Sequence, residues 1–148
     1  MNLEIDRVFD APRSQVWEAW TDPEQVAQWW GPHHFHVPVD SIEFDLRPGG
    51  RYYLKMVETQ SGREFPARFE IVEVREAELL VFISPPEPEH GLLEEIHTRV
   101  EFSDDGDGTR VTVVSGPYGD EMGPNAETGW NQQFEKLDSV LGVAADQR

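Results

Sequence analysis

The fold is decided by one stretch near the carboxyl end, AETGWNQQFEKLDSVL at residues 126–141. Its apolar residues recur at spacings of four, four, three and four, which is typical of one face of a long amphipathic helix; they are Ala126, Trp130, Phe134, Leu137 and Leu141. We place this helix at roughly Met122 to Ala144 and expect residues 146–148 to fray. A helix of this length covers one face of a sheet, so the preceding chain should supply that sheet.

The middle of the chain predicts antiparallel strands. From Phe35 to about Ser115, short alternating apolar and polar runs are separated by turn residues such as Pro48-Gly49-Gly50, a pattern typical of a meander. An antiparallel sheet that buries one face needs a cover, and the terminal helix is the only predicted element long enough. The sheet is therefore expected to curl around that helix. With one strand at the amino end, seven strands are predicted: Leu3–Phe9, Phe35–Leu46, Arg51–Val57, Phe65–Val74, Leu79–Ser84, Leu92–Phe102 and Thr109–Ser115.

Two short helices are predicted between the first and second strands. Pro12 and Pro23 each suit the first position of a helix, where a backbone N–H is not needed. Gly31 and Pro32 end the second helix. The element order is α+β, and we expect residues 1–148 to form a single domain.

Length and charge exclude several classes of function. The chain has 148 residues, with 29 acidic against 12 basic residues and a net charge of −17. This length fits one domain that buries roughly 68–70% of its unfolded surface. The negative charge repels nucleic acids and anionic membranes, so neither is an expected partner. The longest apolar run, residues 79–83, is far shorter than the roughly 20 residues of a membrane helix.

Composition also bears on location. Cysteine is absent, which excludes disulfides, thiolate nucleophiles and cysteine-ligated metals and fits a reducing compartment. Residues 1–7 carry two acids and lack the pattern of a signal peptide, so a cytoplasmic protein is expected. Acidic residues with few lysines further suggest adaptation to high salt, where screening relieves self-repulsion. Strand and helix periodicity places these acids on the exterior: Glu64, Glu70, Glu95, Glu101, Glu127 and Glu135.

Several motifs, in order along the chain, resemble one known family. VWEAWTDPE at residues 16–24 is followed by QWWGP at 28–32, DLRPGG at 45–50, and GW at 129–130 with Phe134 and Leu137. The element order is similar to the helix-grip fold of the SRPBCC superfamily, which includes START lipid-transfer domains and birch-pollen-allergen-type proteins. The motifs resemble the family named after the activator of heat-shock-protein-90 ATPase.

The resemblance implies an internal cavity between sheet and long helix, with its mouth near the two short helices, where related proteins bind small apolar ligands. Strand parity and the helix stripe independently predict which side chains face inward. A packed core is the alternative, because five tryptophans, eight phenylalanines and three tyrosines could fill a cavity as well as line one. The candidate ligand-binding residues are Trp29, Trp30, Tyr52, Leu54, Met56, Phe65, Phe69, Phe82, Val100, Trp130 and Phe134.

Three of these aromatic residues, Trp29, Trp30 and Tyr52, have more specific expected roles. Trp29 and Trp30 are adjacent on the predicted helix and so point about 100° apart. We expect one to pack inward and the other to gate the cavity mouth. Tyr52 could donate a hydrogen bond to a ligand carbonyl, as a cyclase or isomerase would need, or could be a core tyrosine. No inward acid or base accompanies it.

Other candidate chemistry is weak, and we predict no catalytic residue, metal or cofactor. His33, His34 and His36 could bind zinc or copper, but a solvated loop is the preferred interpretation. Ser115 lacks the preceding glycine of a nucleophile elbow, because Val113 stands there. Residues 106–108 fit a hairpin turn better than a nucleotide or calcium loop. Arg47 could meet an acidic ligand head or a neighbouring acid.

The leading functional hypothesis is non-enzymatic binding of a small apolar or aromatic ligand. A co-chaperone-like module that contacts a heat-shock ATPase is one alternative, and a cyclase or isomerase that uses the same cavity is another. The sequence does not predict the ligand or the oligomeric state.

Overall fold

The structure, a computed structural model, describes residues 2–90, 94–120 and 122–146, with side chains for all of these except His90 and residues 142–146. A curled antiparallel sheet wraps around a C-terminal helix, and two short helices follow the first strand. In chain order the elements are β1 (Leu3–Phe9), α1 (Arg13–Thr21), α2 (Pro23–Trp29), β2 (Phe35–His36), β3 (Glu43–Phe44), β4 (Arg51–Glu58), β5 (Glu64–Arg75), β6 (Leu79–Ser84), β7 (Ile96–Asp105), β8 (Gly108–Gly116) and α3 (Met122–Asp146).

The strands form one sheet in the order β1-β8-β7-β6-β5-β4-β2, and β3 also pairs with β4. Every pairing is antiparallel. The first strand therefore crosses to the far edge and pairs with the last, while the intervening strands follow one another as a meander. The predicted α+β helix-grip fold is confirmed.

The predicted second strand is not continuous. Within residues 35–46, β2 and β3 are two residues each, and a single 3-10 turn at Val39–Ser41 separates them. The turn forms because Pro38 has no N–H to give to a strand ladder and because the Ser41 hydroxyl donates to the Pro38 carbonyl at 2.7 Å. Counted separately, the described segments give eight strands rather than the predicted seven.

The predicted strand Leu92–Phe102 is wrong at both ends. β7 begins at Ile96 and continues to Asp105, because β7 and β8 stay paired until Asp105 meets Gly108 at a tight hairpin. Residues 92 and 93 lie outside the described part of the chain. The predicted helix over 122–144 continues to Asp146, the first of the three residues expected to fray, and the other two also lie outside it.

The inner face of the sheet follows the predicted parity. On β7, Thr98, Val100 and Phe102 are buried while the side chains between them are exposed. From α3, Trp130, Phe134, Leu137 and Leu141 are buried against this face. The six glutamates expected on the exterior are all exposed.

The Arg-Pro-Gly-Gly motif is a structural turn between β3 and β4. Gly49 has φ +82°, a left-handed conformation that favours glycine, and its N–H donates to the Ile71 carbonyl at 2.8 Å. A Cβ at Gly50 would collide with the Asp45 backbone carbonyl. The Arg47 side chain, which was a candidate for an acidic ligand, pairs with the Asp45 carboxylate at 2.7 Å. The motif therefore serves the fold.

Candidate functional site

A cavity of about 520 Å³ lies between the sheet and the amino-terminal half of α3. Its volume is within the range of small-molecule sites, roughly 300–1,000 Å³. On α3 the lining positions fall on one face, from Met122 and Asn125 at the start to Gln133 three turns later. The lining residues are Trp30, Pro32, Met56, Phe65, Pro66, Ala67, Arg68, Phe69, Phe82, Ser84, Pro85, Glu87, Ile96, Thr98, Tyr118, Met122, Asn125, Ala126, Gly129, Trp130 and Gln133.

The cavity exists because two neighbouring strands separate. β5 pairs with β4 over residues 64–70 but with β6 only over residues 70–75. The ladder between β5 and β6 therefore ends at Glu70, opposite Ile83. Pro66 lies in the first half of β5 and has no N–H to offer a partner. The sheet opens at this point, and the space beneath it reaches the surface.

The opening is not where the sequence analysis placed it. The exposed lining residues are Pro66, Arg68, Pro85 and Asn125, which lie on β5, on the connection after β6 and on the first turns of α3. The segment that directly follows α2 contributes an inner wall instead, through the buried Trp30. None of these four exposed residues lies on the two short helices.

The structure divides the eleven candidate residues into two groups. Six line the cavity: Trp30, Met56, Phe65, Phe69, Phe82 and Trp130. The other five are buried in the core and do not line it: Trp29, Tyr52, Leu54, Val100 and Phe134. Parity identified side chains that face inward, but it could not show where the interior is filled and where it is open. The ligand-binding role remains a prediction.

Neither tryptophan of the Trp-Trp pair is an exposed gate. Trp29 is 0% exposed and Trp30 is 3% exposed. Two adjacent residues of one helix would point about 100° apart, but α2 ends at Trp29, and Trp30 has extended backbone with φ −68° and ψ 141°. Trp29 turns into the core, where its indole N–H donates to the Ala19 carbonyl at 2.8 Å, and Trp30 turns into the cavity wall.

Tyr52 is a core tyrosine rather than a ligand donor. Its hydroxyl donates to the Trp20 carbonyl at 2.6 Å, and the residue is fully buried. Burial raises the pKa of Tyr52 far above its ordinary value. The hydroxyl joins the sheet to the end of α1 and is not available in the cavity.

Three side chains of α3 hold the Trp-Gly-Pro turn that follows α2. Gln133 Oε1 accepts from the Gly31 N–H at 2.7 Å, and Gln132 Oε1 accepts from the His33 N–H at 3.2 Å. The Lys136 ammonium donates to the carbonyls of Gly31 at 3.0 Å and Trp30 at 3.3 Å. These carbonyls lie at the C-terminus of α2, where a cation is favoured. Burial lowers the pKa of Lys136.

Of the polar residues in the cavity wall, Thr98 was expected to face inward, whereas Gln133 and Tyr118 were missed by the sequence analysis. Gln133 is 6% exposed, and its spacing from Trp130 and Leu137 on the apolar stripe was the signal that could have found it. Thr98 Oγ1 lies 2.8 Å from Ser115 Oγ, which lies 2.9 Å from the Tyr118 hydroxyl. Burial raises the pKa of Tyr118, more than hydrogen bonds with Ser115 and Trp130 lower it. Tyr118 is therefore a neutral phenol at physiological pH.

The histidine loop has ordinary partners. His33 Nε2 lies 2.9 Å from Glu135 Oε2, and His36 Nδ1 lies 3.1 Å from Thr59 Oγ1. Over the described residues, no three side chains of histidine, cysteine, aspartate or glutamate are grouped to hold a metal ion. Within the same residues, no helix has the length and hydropathy to cross a membrane.

Comparison with known proteins supports the resemblance. Solved structures share the fold: a Chromobacterium violaceum protein is 24% identical with a TM-score of 0.84, over 95% of this chain and 96% of that one. The AHSA1 protein from Silicibacter pomeroyi is 24% identical with a TM-score of 0.80, over 97% and 99% of the two chains. No curated protein matches the sequence. A family model described as Activator of Hsp90 ATPase homolog 1-like protein matches residues 10–142. The chain therefore belongs to the Activator of Hsp90 ATPase homolog 1-like family.

Proposed function

We propose that this protein binds a small apolar or aromatic molecule, without chemical conversion, in the cavity between the sheet and α3. The observation that carries the proposal is an open cavity of about 520 Å³ with a mostly apolar wall. Aromatic rings supply large contact areas at such sites. Trp30 and Trp130 lie with ring centroids 5.8 Å apart, and Phe69 and Phe82 with centroids 4.7 Å apart. These rings support one another, so the wall is formed before a ligand enters.

The titratable groups at the cavity support binding over catalysis. In the described part of the chain, those that line it are Arg68, Glu87 and Tyr118. A general acid or base works best with a pKa near the working pH, whereas burial raises the pKa of Tyr118 above its ordinary value. Arg68 is exposed at the mouth and Glu87 is half-buried. The arrangement suits recognition by shape and by a few polar contacts.

A thermal-shift panel tests the proposal. Oleate, cholesterol and quercetin represent fatty acids, sterols and polyphenols, and at least one is expected to raise the melting temperature. A ligand at about 100 times its Kd stabilises the folded state by about 2.7 kcal/mol, which corresponds to several degrees. Isothermal titration calorimetry then gives the stoichiometry, which should be one.

A blocked variant makes the test specific to this cavity. Ala126 is half-buried on the α3 face that lines it, so Ala126→Trp should fill the space and abolish the shift. Ser139 is exposed on the same helix and does not line the cavity, so Ser139→Trp is the matched control and should retain it. No shift with any compound, or equal shifts in both variants, would contradict the proposal.

A further inference from the structure

The inner end of the cavity carries a polar group with an unused donor. On α3 the lining residues become more buried along the helix, from the exposed Asn125 at the mouth to the half-buried Gly129. The last of them, Gln133, is only 6% exposed. Among the described residues, no acceptor lies within hydrogen-bond distance of Gln133 Nε2; the one hydrogen bond found for this side chain is made by Oε1. Gln133 Nε2 is not among the fully enclosed side-chain atoms that lack a partner, so it faces the open cavity, where a ligand acceptor can take the place of water.

The orientation of the amide is decided by its neighbour. Oxygen and nitrogen of a glutamine side chain are usually assigned from the hydrogen-bond network. The Gly31 backbone N–H is a donor, so the atom 2.7 Å from it must be the acceptor, Oε1. Gly31 has φ +93° and is fixed in the turn that Lys136 also holds. The Nε2 end of Gln133 is therefore left on the cavity side with two N–H donors.

Two hydroxyl groups of the wall already have partners. Thr98 Oγ1 and the Tyr118 hydroxyl both lie within hydrogen-bond distance of Ser115 Oγ. Each hydroxyl therefore has a protein partner in the absence of a ligand. The N–H groups of Gln133 Nε2 at the inner end are hydrogen-bond donors, so the complementary ligand group is an acceptor.

The charge around this end indicates a neutral acceptor. The Lys136 ammonium is one turn along α3 from Gln133, but it donates to the carbonyls of Trp30 and Gly31 and does not line the cavity. Arg68 lines the exposed mouth at the other end. A carboxylate pushed to the inner end would be buried without a cation, which costs several kcal/mol. A carbonyl oxygen accepts two N–H groups without that cost.

We propose that the cavity selects neutral carbonyl compounds, such as aromatic ketones, which enter carbonyl first and accept hydrogen bonds from Gln133 Nε2. The inference rests on the proposed function and adds the chemical class of the ligand. The aromatic wall binds the body of the molecule, and Gln133 fixes its direction.

The test compares two probes with the same carbon skeleton. Benzophenone carries a carbonyl where diphenylmethane carries a methylene, so the ratio of their Kd values reports on the carbonyl. The ketone-over-hydrocarbon preference should be about tenfold greater in the wild type than in Gln133→Met, the effect expected for one hydrogen bond. Gln132→Met is the matched control, because Gln132 does not line the cavity, and its preference should equal that of the wild type.

A second measurement does not depend on how the variant folds. In ¹H–¹⁵N spectra of the wild type, the side-chain NH₂ signal of Gln133 should move downfield with benzophenone and much less with diphenylmethane. Equal affinities for benzophenone and diphenylmethane, together with equal shifts of the Gln133 signal, would overturn the inference while leaving ligand binding intact. Failure of both probes to bind would overturn the inference, whereas a thermal shift with any compound of the panel would leave the proposed function standing.

Discussion

The two halves of the interior are built from the same kinds of side chain but differ in what covers them. In one half, beneath α1 and α2, Trp20 is fully buried and its ring centroid lies within 6.4 Å of those of five other rings. We call this the closed half. In the other half, Met56, Phe65 and Phe69 are only partly buried and face the cavity. We call this the open half.

The difference lies in the covering elements. α1 and α2 follow β1, and they lie over the end of the sheet that holds Phe102, against which Trp20 of α1 packs. At the other end, the ladder between β5 and β6 ends at Glu70, and the amino-terminal half of α3 faces the sheet across the cavity. Aromatic composition therefore does not distinguish a core from a binding site. What distinguishes them is which elements cover each stretch of the sheet.

The largest effect is expected from truncation in the closed half. Trp20→Ala should lower the free energy of unfolding by about 3–5 kcal/mol, because the surrounding rings cannot collapse into the space. Phe69→Ala, in the open half, should cost about 1–2 kcal/mol, because the half-buried ring borders space that already exists. Urea denaturation followed by circular dichroism measures both. Equal losses would show that the open half is packed like the closed half.

The next effect concerns Tyr52, which joins the sheet to the closed half. Tyr52→Phe removes a buried hydrogen bond and leaves the Trp20 carbonyl without this donor, at a cost of about 1–2 kcal/mol at neutral pH. The neighbouring Tyr53 is only half-buried, so Tyr53→Phe is the control and should be close to neutral. Thermal unfolding at pH 7 compares the two, and a larger loss in Tyr53→Phe would contradict the assignment.

Tyr52 also predicts how stability depends on alkaline pH. Burial raises the pKa of Tyr52 in the folded state, whereas a tyrosine in the unfolded chain has a pKa of about 10. The unfolded chain releases this proton first, so the stabilisation is complete below about pH 10 and is lost as the pH rises further. Tyr52→Phe should therefore lose less stability than the wild type between pH 9 and pH 11, about the unfolded pKa. Parallel losses would argue against a buried phenol.

A smaller effect is expected at the turn between the two halves. Lys136→Met removes the donors to the Trp30 and Gly31 carbonyls and should cost about 1 kcal/mol. The other lysine, Lys55, pairs with the largely exposed Glu64 at 3.2 Å, and Lys55→Met should cost less than about 0.5 kcal/mol. Urea midpoints distinguish the two lysines. A greater loss in Lys55→Met would show that α3 does not hold the turn.

The smallest effect concerns the exterior that both halves share. With a net charge of −17, repulsion among exposed acids opposes folding and is screened by salt. Raising NaCl from about 10 mM to about 1 M, which shortens the Debye length from roughly 30 to 3 Å, should raise the melting temperature by a few degrees. An unchanged or lower melting temperature would count against adaptation to high salt.

Much of the fold could be predicted because the local periodicity of apolar residues indicates the helices and strands. The α3 stripe and the alternation on β7 are period signals, and both are confirmed. The break within residues 35–46 was missed because Pro38 and Ser41 act through a local turn that alternation does not reveal. The site could be predicted only in part. Which inward side chains border empty space depends on where β5 and β6 stop pairing, a long-range property.

One titration tests the central claim most directly, because the chain has five tryptophans whose indole N–H signals report from both halves. Trp30 and Trp130 line the cavity, whereas Trp17 and Trp29 lie in the closed half. When ¹⁵N-labelled protein is titrated with benzophenone, the account predicts that the signals of Trp30 and Trp130 shift most and saturate together. Unchanged signals throughout, or larger shifts for Trp17 and Trp29, would contradict it.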